Sequence, residues 1–403
     1  MKSRKNKLRI AFLAVYIHCF ITVFSQPGNV QNFVNNDTLG FDGIALSVHD
    51  SALAYLQTGI EKKNAKEYNP SIHCFTHAIK CDSTLVLAYI NRAQAKSQLL
   101  DYKSAISDYN RALKQKPTWE ESYEIHYNRA LTKALLRNLK EALSDFDYTI
   151  RLKPGNADAY YNRSIIKGLV GDYQGELKDI NTVILLRPND AQAFNSRGIV
   201  RSVMGDYYAA IGDYTRAIEL DKDKVDVYFN RGLIYYQVKK YAESVNDLNV
   251  VIQVSPDAEA LNRRGNAKFK LKDFGGSFED YNRAIELKKE DHTAYINRGQ
   301  LNYELKDYKA AVEDYTAAIK LKPDDAMAYY YRGLAKKKLK DPNGEIADYT
   351  KAIEFKPDLE SAYNQRGMAR YEMGDKVGGC EDLRKAVRLG SNEAYTNLVV
   401  HCK

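Results

Sequence analysis

The sequence predicts an all-α solenoid of about ten helix pairs, and three observations carry that expectation. A small residue recurs at Gly59, Ala93, Ala130, Ser164, Gly198, Gly232, Gly265, Gly299, Gly333 and Gly367, at spacings of 34, 37, 34, 34, 34, 33, 34, 34 and 34. A period near 34 with two helical halves marks stacked helix pairs that bury a core only against their neighbours. Each half shows helical spacing. An aromatic precedes the small residue by four positions, as at Tyr89, Tyr160, Phe194, Tyr228, Tyr295, Tyr329 and Tyr363. In one second half Tyr308, Ala311, Val312, Tyr315, Ala318 and Ile319 share a face. Finally, six of the nine prolines (Pro117, Pro154, Pro188, Pro256, Pro323 and Pro357) fall at the end of a second half.

Taken in order, the chain opens with MKSRKNKLRIAFLAVYIHCFITVFSQ. Five basic residues lead into an apolar run from about Ile10 to Phe24. The run is too short and interrupted to span a bilayer comfortably, so residues 1–25 are read as a secretory signal peptide cut before Gln26. Residues 26–51 are polar and glycine-bearing and read as a linker. Ten units follow over 52–393, starting near 52, 86, 123, 157, 191, 225, 258, 292, 326 and 360, and 394–403 is a fragment of a further capping helix. Three extra residues, in TWEESY, precede the third unit. Thr118 and Glu121 fit a capping box, which starts that helix a turn early and carries Trp119, the only tryptophan, read as a packing residue with an exposed contact aromatic as the alternative. An aspartate such as Asp206 or Asp307 before a second half suits a helix N-terminus. The last unit, with Gly378 and Gly379, is expected to be looser.

Composition narrows the class. At 44% hydrophobic and 28% charged the chain can bury a core. The five leader cations account for five of the formal +8, leaving +3 on the mature chain, which gives no argument for nucleic acid. The 31 tyrosines are read mainly as seam residues whose hydroxyls reach the solvent edge.

The register of Tyr295, Gly299, Ala311, Ala318 and Pro323 within residues 292–325 resembles the tetratricopeptide repeat, in the variety whose first helix reads A-Y-x-N-R-G. The resemblance covers nearly all of the chain beyond the leader and linker. It implies a right-handed superhelical solenoid and a non-catalytic scaffold that holds an extended peptide or helix of another protein in a concave groove. The family places the residue before the arginine on that inner surface. Asn91, Asn128, Asn162, Asn230 and Asn297 occupy it here, with Tyr127, Tyr161 and Phe229 beside three of them as apolar contacts. An amide donates and accepts at once, so it can hold any peptide backbone. Ser196, Arg263, Tyr331 and Gln365 break the row.

Two further columns emerge by comparing the units with one another. Arginine precedes the small residue in nine units, from Arg92 to Arg366, and an aspartate follows sixteen positions later in the same nine. The first unit lacks both, having Thr58 and Cys74. The economical reading is a guanidinium–carboxylate pair joining the two helices of a unit; the alternative is an anion-binding arginine ladder. A basic row, Lys62, Lys96, Lys133, Lys167, Arg201, Lys268, Lys336 and Arg370, is read as stems packed over the seam with heads in water. Heads turned into the groove would instead favour an acidic partner, and the two rows together leave an anion or glycan binder as an alternative.

His73, His77 and Cys81 share a helix face at metal-ligand spacing, but Cys81 lies in a column otherwise filled by leucines (Leu152, Leu186, Leu220, Leu287, Leu321), read as core. No metal or cofactor is expected. Export permits disulfides, and a Cys380–Cys402 bridge would clip the C-terminal cap, whereas Cys74 and Cys81 on one straight helix span too far. No nucleophile elbow, phosphate loop or paired-carboxylate signature stands out. The expectation is an exported interaction scaffold, periplasmic, secreted or envelope-associated. The alternative places it as an assembly subunit of a cell-envelope or membrane complex, bound through its outer face.

Overall fold

Aspartate starts most of the second helices. Asp101, Asp172, Asp206, Asp273, Asp307, Asp341 and Asp375 are N-caps whose carboxylates accept the backbone N–H three residues on. This satisfies an otherwise orphaned donor and sets negative charge at the positive end of the helix. Each first helix closes through a residue of positive φ: Lys66, Leu100, Arg137, Gly171, Gly205, Lys239, Lys272, Lys306, Lys340 and Gly374. The next N–H then returns to a carbonyl of the last turn, as Asp206 does to Arg201, and the hairpin is made.

A computed structural model describes residues 48–402; the expected leader and most of the linker lie outside the described residues. The described residues are all helix and turn, with no strand. Repeat 1 comprises α1 (Val48–Asn64) and α2 (Tyr68–Cys81), and repeat 2 α3 (Val86–Gln98) and α4 (Tyr102–Lys114). Repeat 3 pairs α5 (Trp119–Leu135) with α6 (Leu139–Leu152), and repeat 4 α7 (Ala157–Leu169) with α8 (Tyr173–Leu186). Repeat 5 is α9 (Ala191–Met204) and α10 (Tyr207–Leu220), and repeat 6 α11 (Val225–Gln237) and α12 (Tyr241–Val254). Repeat 7 holds α13 (Ala258–Lys270) and α14 (Phe274–Leu287), and repeat 8 α15 (His292–Glu304) and α16 (Tyr308–Leu321). Repeat 9 is α17 (Ala326–Lys338) with α18 (Pro342–Phe355), repeat 10 is α19 (Glu360–Glu372) with α20 (Lys376–Arg388), and α21 (Asn392–His401) follows alone. The chain divides into two compact units, Met1–Lys222 and Asp223–Lys403.

Within a repeat the core is one lock. The small residue of the first helix lies under a large residue at the middle of the second. A Cβ placed on Gly333 would sit 2.6 Å from the Tyr349 ring, so the position is closed to larger side chains. Tyr109, Tyr214, Tyr281, Tyr315, Tyr349, Phe75 and Phe146 are the largest wholly buried side chains, each contributing roughly 1.5–3 kcal/mol by burial. Their hydroxyls do not reach the solvent edge as expected. Tyr281 donates to Asn266 Oδ1 at 2.8 Å, and the Tyr214 hydroxyl lies 3.2 Å from Ser202 Oγ.

Several expectations are corrected here. α1 begins at Val48, inside the stretch read as linker. The capping box at Thr118 and Glu121 forms, and α5 starts a turn early, but Trp119 is 58% exposed, which fits the contact reading rather than the packing one. Cys81 and its column are not core: they lie at the last turn of the second helices, where Leu287 is 51% exposed. Repeat 10 is tight rather than loose. A Cβ on Gly379 would meet the Gly367 carbonyl at 2.7 Å and the Tyr371 amide at 2.9 Å, so two glycines let α19 and α20 approach backbone to backbone.

Beyond them α21 repeats the first-helix register as A-Y-T-N-L-V, with Leu398 at the arginine position and Val399 at the small-residue position. A disulfide from Cys380 to Cys402 ties its end to α20.

Candidate functional site: the polar columns and the inner layer

Every arginine of the column pairs with its aspartate. In repeat 2 Arg92 Nε and Nη2 donate to the two Asp108 oxygens at 2.8 and 2.7 Å, and the same fork recurs down to Arg366 and Asp382 at 2.8 and 2.7 Å. Both partners are largely buried, and a bidentate fork is the geometry that suits a desolvated pair. Sequence comparison missed the third arm. Arginine Nη1 crosses to the second helix of the preceding repeat: Arg92 to Thr76 Oγ1, Arg129 to Asn110 Oδ1, Arg264 to Asn249 Oδ1, Arg332 to Thr316 Oγ1. Those acceptors form a column of Thr, Asn and Asp whose shared chemistry, not residue type, was the available signal.

The basic row is corrected. Its heads are in neither water nor the groove; they close on the same aspartates. Lys96 reaches Asp108 at 2.7 Å, Lys133 Asp145 at 2.7 Å, Lys167 Asp179 at 2.8 Å, Lys268 Asp280 at 3.0 Å and Lys336 Asp348 at 2.8 Å. Arg201 and Arg370 do the same to Asp213 and Asp382. Lys62, whose repeat has no aspartate, turns to Glu67 instead at 3.4 Å. With both rows engaged inside the repeats, the arginine ladder and the anion or glycan reading lose their cations. The charge balance is visible at Asp145. Burial works to raise its pKa, but hydrogen bonds from His126, Arg129 and Lys133 outweigh burial and hold the carboxyl well below the usual range. Asp247 and Asp314 have no second cation, and burial, only partly offset by Arg231 and Arg298, pushes them up.

First helices approach those of the next repeat, as α1 does α3 and α13 does α15, more closely than second helices approach one another. They form the inner layer of each unit. The asparagine row lies in it, but largely as stitching. Asn162 and Asn230 are buried, 3% and 2% exposed, so they are corrected as solvent-facing peptide holders. Asn162 Nδ2 donates to the Tyr127 hydroxyl of the preceding repeat at 2.9 Å, and Asn297 Nδ2 to Asn262 Oδ1 at 2.7 Å. Asn128 bonds back to the Glu124 carbonyl, and Asn91 accepts from Lys63 at 2.6 Å. Tyr127, Tyr161 and Phe229 are half-buried beside them; Tyr161 meets Ser196 Oγ at 3.0 Å. Asn91, Asn128 and Asn297 remain half-buried. No pattern within a single repeat signals this burial, because it depends on what the neighbouring repeat supplies.

A family model described as TPR repeat matches residues 204–239 and 302–340. Two others, described as tetratricopeptide repeat, match 90–163 and 225–257 with 258–291. A solved tetratricopeptide repeat protein from Parabacteroides merdae aligns with a TM-score of 0.51 at 18% identity, over 61% of this chain and 99% of that one. The chain is a tetratricopeptide repeat protein.

The APC/C hetero-tetramer Cut9-Hcn1 aligns over 87% of each chain with a TM-score of 0.49 and 12% identity. "Protein STIP1 homolog" of Dictyostelium discoideum is 32% identical over 60 residues, 15% of this chain and 11% of that protein's length. The chain therefore spans about a tenth of that curated relative.

Against the regularity of the tetratricopeptide array, two acids stand out. The position twelve after the small residue is Ala, Ser or Gly in most repeats but Glu176 in repeat 4 and Glu345 in repeat 9. Both are buried, at 1% and 4% exposure, each with an Oε2 that has no partner. Burial raises Glu176 to about 9. It raises Glu345 to about 7, with Lys337 pulling the other way. Neither has a neighbour set for catalysis. His77 stacks on Tyr55, and the described residues hold no group of acids, histidines and cysteines that could bind a metal.

Proposed function

We propose that the chain is a non-catalytic interaction scaffold whose second unit holds a segment of another protein against its inner layer. One observation carries this reading. Four half-buried aromatics, Tyr236, Phe269, Tyr303 and Tyr371, stand in one column of the second unit, four residues after the small residue. That column lines the inner layer: in repeat 9 it holds Lys337, which reaches across to Gln365 of the next first helix at 3.0 Å. Half-exposed aromatics at repeat intervals, with the Asn297 amide between, suit an extended or helical segment with apolar side chains at intervals. The first unit fills the same column with Lys63, Ser97, Ala134, Gly168 and Ser202, so Asn91, Asn128, Tyr127 and Tyr161 serve there as secondary contacts.

Two features favour an exported setting for this binding. The basic-then-apolar opening fits a leader, and a Cys380–Cys402 bridge persists in oxidising compartments such as a periplasm or secretory lumen. The test is affinity capture of the protein from its own exported fraction beside Phe269→Ala/Tyr303→Ala/Asn297→Ala. A partner held by the native form and lost by the folded variant supports the inner layer. A partner held equally by both moves the contact to the outer face and an envelope-complex role.

A further inference from the structure

The turn that ends each first helix needs one residue of positive φ, and glycine takes that conformation with no Cβ penalty. Repeats 4, 5 and 10 use it, at Gly171, Gly205 and Gly374. Repeats 6 to 9 instead place lysine there four times running: Lys239, Lys272, Lys306 and Lys340, with φ of 65°, 63°, 63° and 60°. The hairpin gains nothing from a lysine over a glycine at this point, so the reason lies in the side chain. All four are exposed, and none makes an ion pair or side-chain hydrogen bond among the described residues. They belong to one compact unit and one structural position, so they run along a single edge of it.

That edge has a second component. The residue before each lysine is aliphatic; Leu271, Leu305 and Leu339 are 46%, 49% and 39% exposed. Asp273, Asp307 and Asp341 follow three of the lysines and cap the next helices, and Glu304 stands beside them, but Lys240, Lys270 and Lys338 join the four at the same turns, so cations are in excess there. At the opposite edge of the same repeats lysines alternate with acids, as Lys322 with Asp324 and Lys356 with Asp358, and no such excess builds up. In the first unit the turn position carries Lys66, Leu100, Arg137, Gly171 and Gly205, and no run forms.

We propose that the edge of the second unit bearing Lys239, Lys272, Lys306 and Lys340 docks on an anionic lipid bilayer. The chemistry fits a headgroup boundary: ammonium groups meet lipid phosphates and carboxylates, while the flanking leucines reach the acyl border. Turn tips offer no groove and no free strand edge, so a bound acidic peptide would find no backbone to pair with.

The test is flotation of the full chain with vesicles of phosphatidylserine in phosphatidylcholine, and with phosphatidylcholine alone, at low and high salt. Two variants go beside it. One is Lys239→Gly/Lys272→Gly/Lys306→Gly/Lys340→Gly, which suits the turn and keeps or raises Tm. The other, Lys288→Gln/Lys289→Gln/Lys322→Gln/Lys356→Gln, removes the same charge from the opposite edge. Because all three share the N-terminal residues, any binding by those residues cancels. The proposal expects salt-sensitive binding to phosphatidylserine vesicles only, weakened roughly tenfold or more in the glycine variant and unchanged in the glutamine variant. Equal binding by wild type and the glycine variant overturns it, as does equal loss in both variants. So does a wild type that ignores the vesicles and is captured by polyglutamate.

Discussion

The two units close the same buried aspartate differently. In repeats 2 to 5 every such carboxylate meets a second cation besides its arginine: Lys96, Lys133, Lys167 or Arg201. In the second unit Asp280, Asp348 and Asp382 follow that pattern, but the repeat of Asp247 has Tyr235 at the lysine position, and Asp314 takes a hydrogen bond from Asn302 at 2.9 Å. The backbone accommodates both solutions. What changes is how willingly the carboxylate stays ionised: Asp145 is pushed down, and Asp247 and Asp314 are pushed up. The fork alone positions the acid; the second cation makes its burial comfortable.

The largest effect should come from breaking the denser closure. Asp145→Asn leaves Arg129, Lys133 and His126 without a carboxylate, and we expect a loss of about 3–5 kcal/mol in urea unfolding. Asp314→Asn strands one guanidinium and should cost clearly less. Equal costs would remove the second cation from the explanation. Next comes the disulfide, which among the described residues lies in the second unit. Cys402→Ser should cost about 2–4 kcal/mol and, in hydrogen exchange, deprotect α21 while the first unit is unmoved. Loss of protection throughout would mean the two units do not unfold separately.

Glu176 and Glu345 set one buried acid of each unit against the other. Both folded pKa values lie above the usual carboxylate value of about 4.3. Each acid's contribution to stability is therefore complete below that value and is lost as pH rises, up to about 7 for Glu345 and about 9 for Glu176. Glu176→Gln should be near neutral at pH 4 and stabilising by roughly 1–3 kcal/mol at pH 9. The Glu345→Gln gain should level off near pH 7, because that carboxyl is less completely desolvated and Lys337 favours its ionised form. Identical pH profiles would take Lys337 out of the account. The smallest effect belongs to Trp119→Ala: an exposed side chain at a helix start should change Tm within error, roughly ±0.5 kcal/mol.

Much of this was legible because the chain carries ten copies of its own comparison. Period, late prolines and N-cap aspartates fixed the helix pairs, and the joint presence or absence of Arg and Asp pointed to the fork. Legibility failed where a contact crosses between repeats. The acceptor of arginine Nη1 changes type from Thr to Asn to Asp, and the burial of Asn162 is set by Tyr127 thirty-five residues away. The basic row was misread for another reason: one carboxylate has two oxygens, so a column already paired with arginine still had room for lysine. Gly378 and Gly379 suggested slack because glycine lowers helix propensity, yet Gly379 packs against the Gly367 carbonyl and the Tyr371 amide with no room for a Cβ.

The last helix decides how such a chain can change length. α21 carries leucine where the guanidinium would begin the next fork and valine where the next aromatic would lock, and its end is tied back by Cys402. A duplicate of residues 326–359 inserted at its own boundary meets compatible neighbours on both sides and should raise helical content with Tm preserved. The same segment appended after His401 meets a surface with no socket for it and should hang unfolded and protease-sensitive. A further repeat is therefore better accommodated between two existing repeats than against α21.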